Sequence, residues 1–460
     1  MSDIKSKFGL YLGSFIAQFP SLILLLFIVR NSSVEDIAQL AIIDGIILFL
    51  PFFLTLASER SSVIAFYEKS SYSGLNLFAS GVVIVIISSL SILILSILVQ
   101  WVSGNLQLFW LSLMVIAACA STGLYNIQIQ RNLVLENYSA LTKTQFKRGI
   151  GIIICALIFI NIDFNSVLIY PLSLFIGSIF AVYDSLPESL ENWKVKSLRV
   201  HIKYLYRMSR VALIVIFLSY ILANIGRLSL EYYDKTQDLA ILLIYIKNSL
   251  LTTVVMMPFA TFLKPKILKE YKQSRKRLPA SWVQILFFST FVSVGAISFF
   301  NVLWSAWGLA EIKPDYFSFS ICLAGSTALW LMSSSIDLYF DHSNLLSKKI
   351  MIYSLPIFSL IVLFLIFGSL FNYRSVIVAI SVGQFSILTL GIFLAFNFSQ
   401  IIKQYLFLVS VLGSILVFGK IFERLSTSYS ESIYFHAASI VFTLICAINS
   451  LFYLFKYRNA

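Results

Sequence analysis

Apolar residues along this chain fall in runs near 20 residues, divided by short polar breaks from one end to the other. The runs lie near 8–29, 38–58, 75–100, 107–127, 148–163 and 166–184, then 211–229, 239–262, 282–304, 316–338, 350–371 and 375–397, with two more near 404–420 and 433–455. A helix of about 20 residues matches the ~30 Å hydrocarbon core of a bilayer. The pattern predicts an all-α polytopic membrane protein with about 14 transmembrane helices. The first run, Phe8 to Val29, is long and lacks a small-residue cleavage site, so it reads as a spanning helix and not a signal peptide.

One stretch departs most from uniform apolarity. From Tyr220 to Arg277 an apolar helix is followed by a polar break with Arg227, Glu231, Asp234, Lys235 and Asp238. A second apolar run containing Lys247 follows, ending near Pro258, and then a loop rich in Lys and Arg. A charge inside an apolar run is costly at mid-bilayer, about 2.5–3.5 kcal/mol on insertion scales, and marks a functional or paired position.

Composition narrows the class. Hydrophobic residues make up 59% and charged residues 12%, against roughly 25% charged in soluble domains. The net charge of +13 does not point to nucleic acid, because the cations lie in short segments between apolar runs. With the N-terminus placed in the cytoplasm, inside segments hold 26 Lys and Arg and outside segments hold 7, Arg227 among the latter. The positive-inside rule then sets the orientation, with both termini cytoplasmic. Trp101, Trp110, Trp304 and Trp307 flank outside loops as an aromatic belt would. All outside loops are about a dozen residues or fewer, which argues against membrane glycosyltransferases, polymerases and ligases with a large outside loop.

The longest inside segment, Asp184 to Arg210, carries Arg199, Lys203, Arg207 and Arg210 on one helical face and Leu198, Ile202 and Leu205 on a neighbouring one. It reads as an interfacial amphipathic helix joining two halves, either as a linker that sets topology or as a collector of a phosphate-bearing lipid. The expected division is an N-terminal lobe (1–184, six spans), this linker (185–210), a C-terminal lobe (211–400, six spans) and two further helices (401–460).

Spans 2 and 8 resemble each other. Glu35-Asp36-Ile37-Ala38 precedes an apolar run with Asp44 and Pro51, and Gln237-Asp238-Leu239-Ala240 precedes one with Lys247 and Pro258. Weak symmetry between two six-helix halves is a transporter signature. No HExxH, GxSxG, Walker or dinucleotide-binding glycine pattern occurs. His201, His342 and His436 are too scattered for a metal site, and Cys119, Cys155, Cys322 and Cys446 each sit in an apolar run as small buried residues. No cofactor or metal is expected. The chemistry-bearing candidates are Arg30, Arg60, Arg227 and Lys247, as cationic positions of a cavity suited to a phosphate or pyrophosphate headgroup, and Asp44. For the three arginines near helix ends the alternative is snorkelling to the interface. For Asp44 and Lys247 it is a structural pair.

The segment Arg30-Asn31-Ser32-Ser33-Val34-Glu35-Asp36-Ile37-Ala38 resembles the turn after the first span of Wzx-type polysaccharide (O-antigen) flippases, in the multidrug/oligosaccharidyl-lipid/polysaccharide exporter superfamily. Ile225-Gly226-Arg227-Leu228-Ser229-Leu230 resembles the family's Asp-Arg segment. Phe262-Leu263-Lys264-Pro265-Lys266-Ile267-Leu268-Lys269-Glu270-Tyr271 resembles its exit from span 8. Gly226 stands where the family usually has Asp, and Ala38 where it has Gly. The resemblance implies a V-shaped transporter of two pseudo-symmetric six-helix lobes plus two helices. Its substrate would be an undecaprenyl-pyrophosphate-linked oligosaccharide, moved across a bacterial inner membrane by alternating access for surface polysaccharide assembly. Asp44 would be the group that couples transport to an ion gradient. Membrane lipids, a polysaccharide polymerase and a chain-length regulator are the implied partners. A drug or ion antiporter of related architecture, the lipid II flippase branch and a polysaccharide polymerase are the alternatives.

Overall fold

Ser33 opens the second helix. Its hydroxyl accepts from the Asp36 N–H at 3.1 Å, and Glu35 and Asp36 fill the first turn, where carboxylates favour the helix N-terminus. The computed structural model describes residues 2–67, 74–103, 106–135, 137–161, 166–186, 195–247, 249–250, 252–253, 319–320, 322–328, 330–331, 340 and 346–395. Among them are helices α1 (Ser2–Asn31), α2 (Val34–Leu54), α3 (Ser58–Tyr67), α4 (Gly74–Ser103), α5 (Leu106–Val134), α6 (Tyr138–Asn161), α7 (Ser166–Val182) and α8 (Val195–Tyr232). Then come α9 (236–247), α10 (Leu346–Phe367), a 3₁₀ turn at Gly368–Leu370, and α11 (Tyr373–Ala395). No strand occurs among the described residues. The runs expected near 282–304, 404–420 and 433–455, and the basic loop 264–277, lie outside them.

Six of the described helical stretches are long and apolar enough to cross a membrane: Val34–Leu54, Leu77–Leu98, Phe109–Val134, Ser209–Tyr232, Ser347–Leu370 and Tyr373–Leu394. The exposed surface is unlike that of a water-soluble protein. On α4, Ile87, Leu90, Ile94, Leu95 and Leu98 are exposed, whereas Ser80 is fully buried. On α6, Ile150, Ile153, Ile154, Leu157 and Ile158 face out, and Cys155 and Ala156 face in. Rows of exposed Ile and Leu beside buried small or polar residues suit a lipid surround, where hydrocarbon solvates Ile and Leu as well as a protein core does. The chain is therefore an all-α, multi-pass membrane protein.

Three boundaries differ from the sequence expectation. The run near 38–58 is not one helix: α2 ends at Leu54, and Leu56 and Ala57 take left-handed φ values of 49° and 51° before α3 begins. Pro51 and the buried Leu54, Thr55 and Ala57 hold this break, with the Ala57 N–H bonded back to the Phe52 carbonyl at 3.0 Å. The run near 148–163 begins ten residues early, at Tyr138, so Lys143, Lys147 and Arg148 are helical and not loop residues. The amphipathic segment and the seventh run are one continuous helix of 38 residues.

The chain forms two compact units, Met1–Tyr220 and Ile221–Ala460, the division falling inside α8. In the first unit α6 packs against α1 and α7, and α5 against α4 and α7. A Cβ on Gly149 would lie 2.1 Å from the Ile16 carbonyl oxygen, so only glycine allows α6 to approach α1 this closely. Phe49 and Phe53 of α2 meet Tyr220 and Phe217 of α8 edge to face. In the second unit α8 turns into α9 through Asp234, at φ 54°, and the Lys235 N–H bonds back to the Leu230 carbonyl at 2.9 Å. The Lys235 ammonium donates to the Ser369 carbonyl at 2.6 Å and to that of Phe371, fixing the turn that follows α10.

Candidate functional site

In the first unit, Asp44 lies in mid-α2 and is only 1% exposed. Its Oδ1 accepts the Tyr170 hydroxyl at 3.0 Å, from α7. A carboxyl group so buried needs hydrogen-bonding partners, and Tyr170, itself buried, supplies one. Arg30 lies in the last turn of α1 and Arg60 in the first turn of α3, just past the Leu56–Ala57 break. Glu59, beside Arg60, is buried.

In the second unit, Arg227 lies in α8, five residues before its end at Tyr232, and is 3% exposed. Its position suited snorkelling, but its guanidinium stays inside, with Nη1 donating to Asn224 Oδ1 at 3.2 Å. Lys247 in α9 is also buried, at 4% exposure. Further polar residues of this unit are buried: Asn224, Ser229, Ser249 and Thr252. Tyr245 stacks on Tyr373 of α11 with centroids 5.8 Å apart. Ser326 reaches α11, its Oγ donating to Gln384 Oε1 at 2.7 Å.

Both segments compared in the sequence open a helix, α2 and α9. The Ile37 N–H bonds to the Ser33 carbonyl at 3.1 Å, and the Leu239 N–H bonds to the Lys235 carbonyl at 3.0 Å, the equivalent residues of the two segments. Asp44 and Lys247 are one residue out of register, so they occupy the same turn of equivalent helices about 100° apart. Each is buried within its own unit.

Gly226 explains itself in the structure. A Cβ there would lie 2.2 Å from Val376 Cγ1 of α11. An Asp there would need α8 and α11 to separate, so glycine permits the close crossing beside Arg227.

Three polar residues of note were not singled out from the sequence. Tyr170 was hidden in an apolar run, with only the following Pro171 to mark it. Arg148 is half-buried, its guanidinium carbon 4.2 Å from the centre of the buried Tyr125 ring, a cation–π contact between α6 and α5. Lys349 is 0% exposed, whereas Lys348 is exposed. Adjacent helical residues point about 100° apart, so a tandem pair reads as one solvated cluster in sequence and divides in the fold. At the polar end of α7, Asp184 pairs with Lys147. That hydrogen bond and the charge of Lys147 hold the Asp184 carboxyl below the usual carboxylate range. His201 is buried with its Nδ1 3.2 Å from Ser80 Oγ. Cys119 and Cys155 are buried free thiols, and Cys322 is a partly buried one. No metal-binding cluster of His, Cys, Asp and Glu occurs among the described residues.

No protein-family model matches the chain, and no curated protein matches it in sequence. Solved structures do. The lipid II flippase MurJ, in an inward closed conformation, superposes with a TM-score of 0.61 at 16% identity, over 97% of this chain and 99% of that one. The Vibrio cholerae MATE transporter VcmN, in its bent form, superposes with a TM-score of 0.56 at 13% identity, over 90% of this chain and 98% of that one. At these identities what is shared is the fold, and it is shared along nearly the whole length of each chain.

Proposed function

We propose that this protein is a flippase for a lipid-linked oligosaccharide, an undecaprenyl-pyrophosphate-linked repeat unit of the Wzx type, in a bacterial inner membrane with both termini cytoplasmic. The observation that carries the reading is the burial of Arg227 and Lys247, 3% and 4% exposed, inside a fold shared with a lipid II flippase. Two cations kept from water in a membrane protein suit a doubly charged phosphate ester better than an organic cation. In this reading they receive the pyrophosphate, the lipid tail stays in the bilayer, and the protein alternates between inward- and outward-open states without making or breaking a covalent bond. Arg30 and Arg60 are further cationic contacts at the ends of the path. Asp44, tied to Tyr170, is the ion-coupling group. The exported unit then passes to a polymerase and a chain-length regulator.

A second reading has its own support. The shared fold with a MATE transporter and a buried carboxylate at Asp44 fit an ion-coupled exporter of a soluble compound. The two separate in a strain lacking the protein, complemented with wild type, Arg227→Ala or Lys247→Ala at equal protein levels. The flippase reading expects lipid-linked oligosaccharide to accumulate on the inner leaflet in the deletion and in both variants. Normal outer-leaflet exposure in the deletion overturns it. Altered drug resistance with normal exposure favours the exporter, and normal exposure with missing long polymer favours a polymerase.

A further inference from the structure

The N-terminal half of α8 has two faces in different surroundings. One is docked on α4: His201 lies against Ser80, and the fully buried Leu205 packs with Leu77 and Ile84, with Ile202 and Tyr204 beside them. Leu77, Ser80 and Ile84 belong to the first turns of the apolar stretch Leu77–Leu98. Residues 201–205 are therefore level with the start of a membrane span, and the span of α8 itself begins at Ser209.

The other face carries Arg199, Lys203, Arg207 and Arg210, all exposed. Their spacing of four, four and three residues places them within an arc of about 80° and along about 16 Å of helix. The exposed Tyr206 lies on the same side, an amphipathic ring suited to the interface. Residues 195–210 contain no Asp or Glu. A charged loop would only bias orientation. Here the helix is held by His201 and Leu205 and runs unbroken into the membrane span, so the cations are fixed at headgroup depth before any ligand arrives.

We propose that this stripe is a binding site for the phosphate groups of anionic phospholipids in the adjoining leaflet, separate from the buried Arg227 and Lys247. The proposal does not depend on what the protein transports. Each cation near the surface contributes roughly fivefold to anionic-lipid affinity, so removing three weakens it on the order of a hundredfold.

The test uses the purified full-length protein in neutral detergent, titrated with phosphatidylglycerol or phosphatidylcholine, with bound lipid counted by native mass spectrometry. Wild type is expected to retain phosphatidylglycerol in preference to phosphatidylcholine. The R199Q/K203Q/R207Q variant is expected to lose that preference, and a K143Q/K348Q control, which removes exposed cations elsewhere, to keep it. Equal uptake of both lipids by wild type, or full retention of phosphatidylglycerol by the triple variant, overturns the proposal. Should the triple variant not fold, wild type decides alone: about 1 M salt shrinks the screening length to ~3 Å and must strip the lipid. Lipid that stays bound overturns the site.

Discussion

The Tyr170 hydroxyl donates to Asp44 Oδ1 at 3.0 Å, joining α7 to α2 where both side chains are almost fully buried. Removing that donor leaves a buried carboxyl group with one contact fewer, at a cost of about 1–3 kcal/mol. Tyr170→Phe, which keeps the ring, is expected to lower the thermal unfolding temperature of the purified protein. Asp44→Asn keeps the shape and removes the titrating group. In the proposed function it abolishes gradient-driven transport while leaving the protein folded. An Asp44→Asn protein that transports at the wild-type rate removes Asp44 from the coupling role.

The approach of α8 to α11 makes a second prediction. Gly226→Ala gains helix propensity of up to about 1 kcal/mol in an open helix, but here its Cβ would meet Val376 Cγ1 at 2.2 Å. Overpacking of this kind typically costs about 1–3 kcal/mol, so the substitution is expected to destabilise. Val376→Ala opens space on the facing helix, and the double variant should recover much of the loss. Thermal unfolding of the four proteins forms a double-mutant cycle, and simple additivity would show that the contact is not tight.

The fold class and several span positions among the described residues were legible because apolar run length responds directly to bilayer thickness. Phe8–Val29 became α1, and the runs near 350–371 and 375–397 became α10 and α11 within a few residues. Where the chain breaks was not legible. Leu54-Thr55-Leu56-Ala57 contains no glycine, and the left-handed turn there is held by burial of Leu54, Thr55 and Ala57, a tertiary effect that local propensity does not carry. Charges within apolar runs singled out Asp44 and Lys247, and both are buried, as is Arg227, for which the sequence left snorkelling open. Their partners stayed hidden. Tyr170 is one of 23 tyrosines, and only the crossing of α2 and α7 selects it.

His201 makes stability depend on pH. Burial disfavours its imidazolium and lowers its pKa from the usual 6.5. The unfolded chain then binds a proton more readily than the folded one, so stability rises with pH through this window. It is complete above about 6.5 and declines as pH falls below that value toward the lower folded pKa. Wild type is expected to lose thermal stability between pH 7 and 5, and His201→Gln to lose less over that interval. Parallel profiles for the two proteins would show that His201 titrates without burden in the folded state.

Arg227 separates a phosphate contact from a structural one by substitution chemistry. Its guanidinium already meets Asn224, and its planar fork can hold two oxygens at once, whereas a lysine ammonium acts as a point charge. Both Arg227→Lys and Arg227→Gln lose the fork, but only Lys keeps the charge. If the pyrophosphate is met here, outer-leaflet exposure of the lipid-linked substrate follows the order wild type, Arg227→Lys, Arg227→Gln, at matched protein levels. A hydrogen bond to a charged group is worth about 1.5–3 kcal/mol, so the full loss corresponds to a drop in apparent substrate affinity of about 10- to 150-fold. Arg227→Lys and Arg227→Gln that bind and transport alike, with equal losses of thermal stability, would assign Arg227 to holding α8 through Asn224 and leave Lys247 as the cation facing the phosphate.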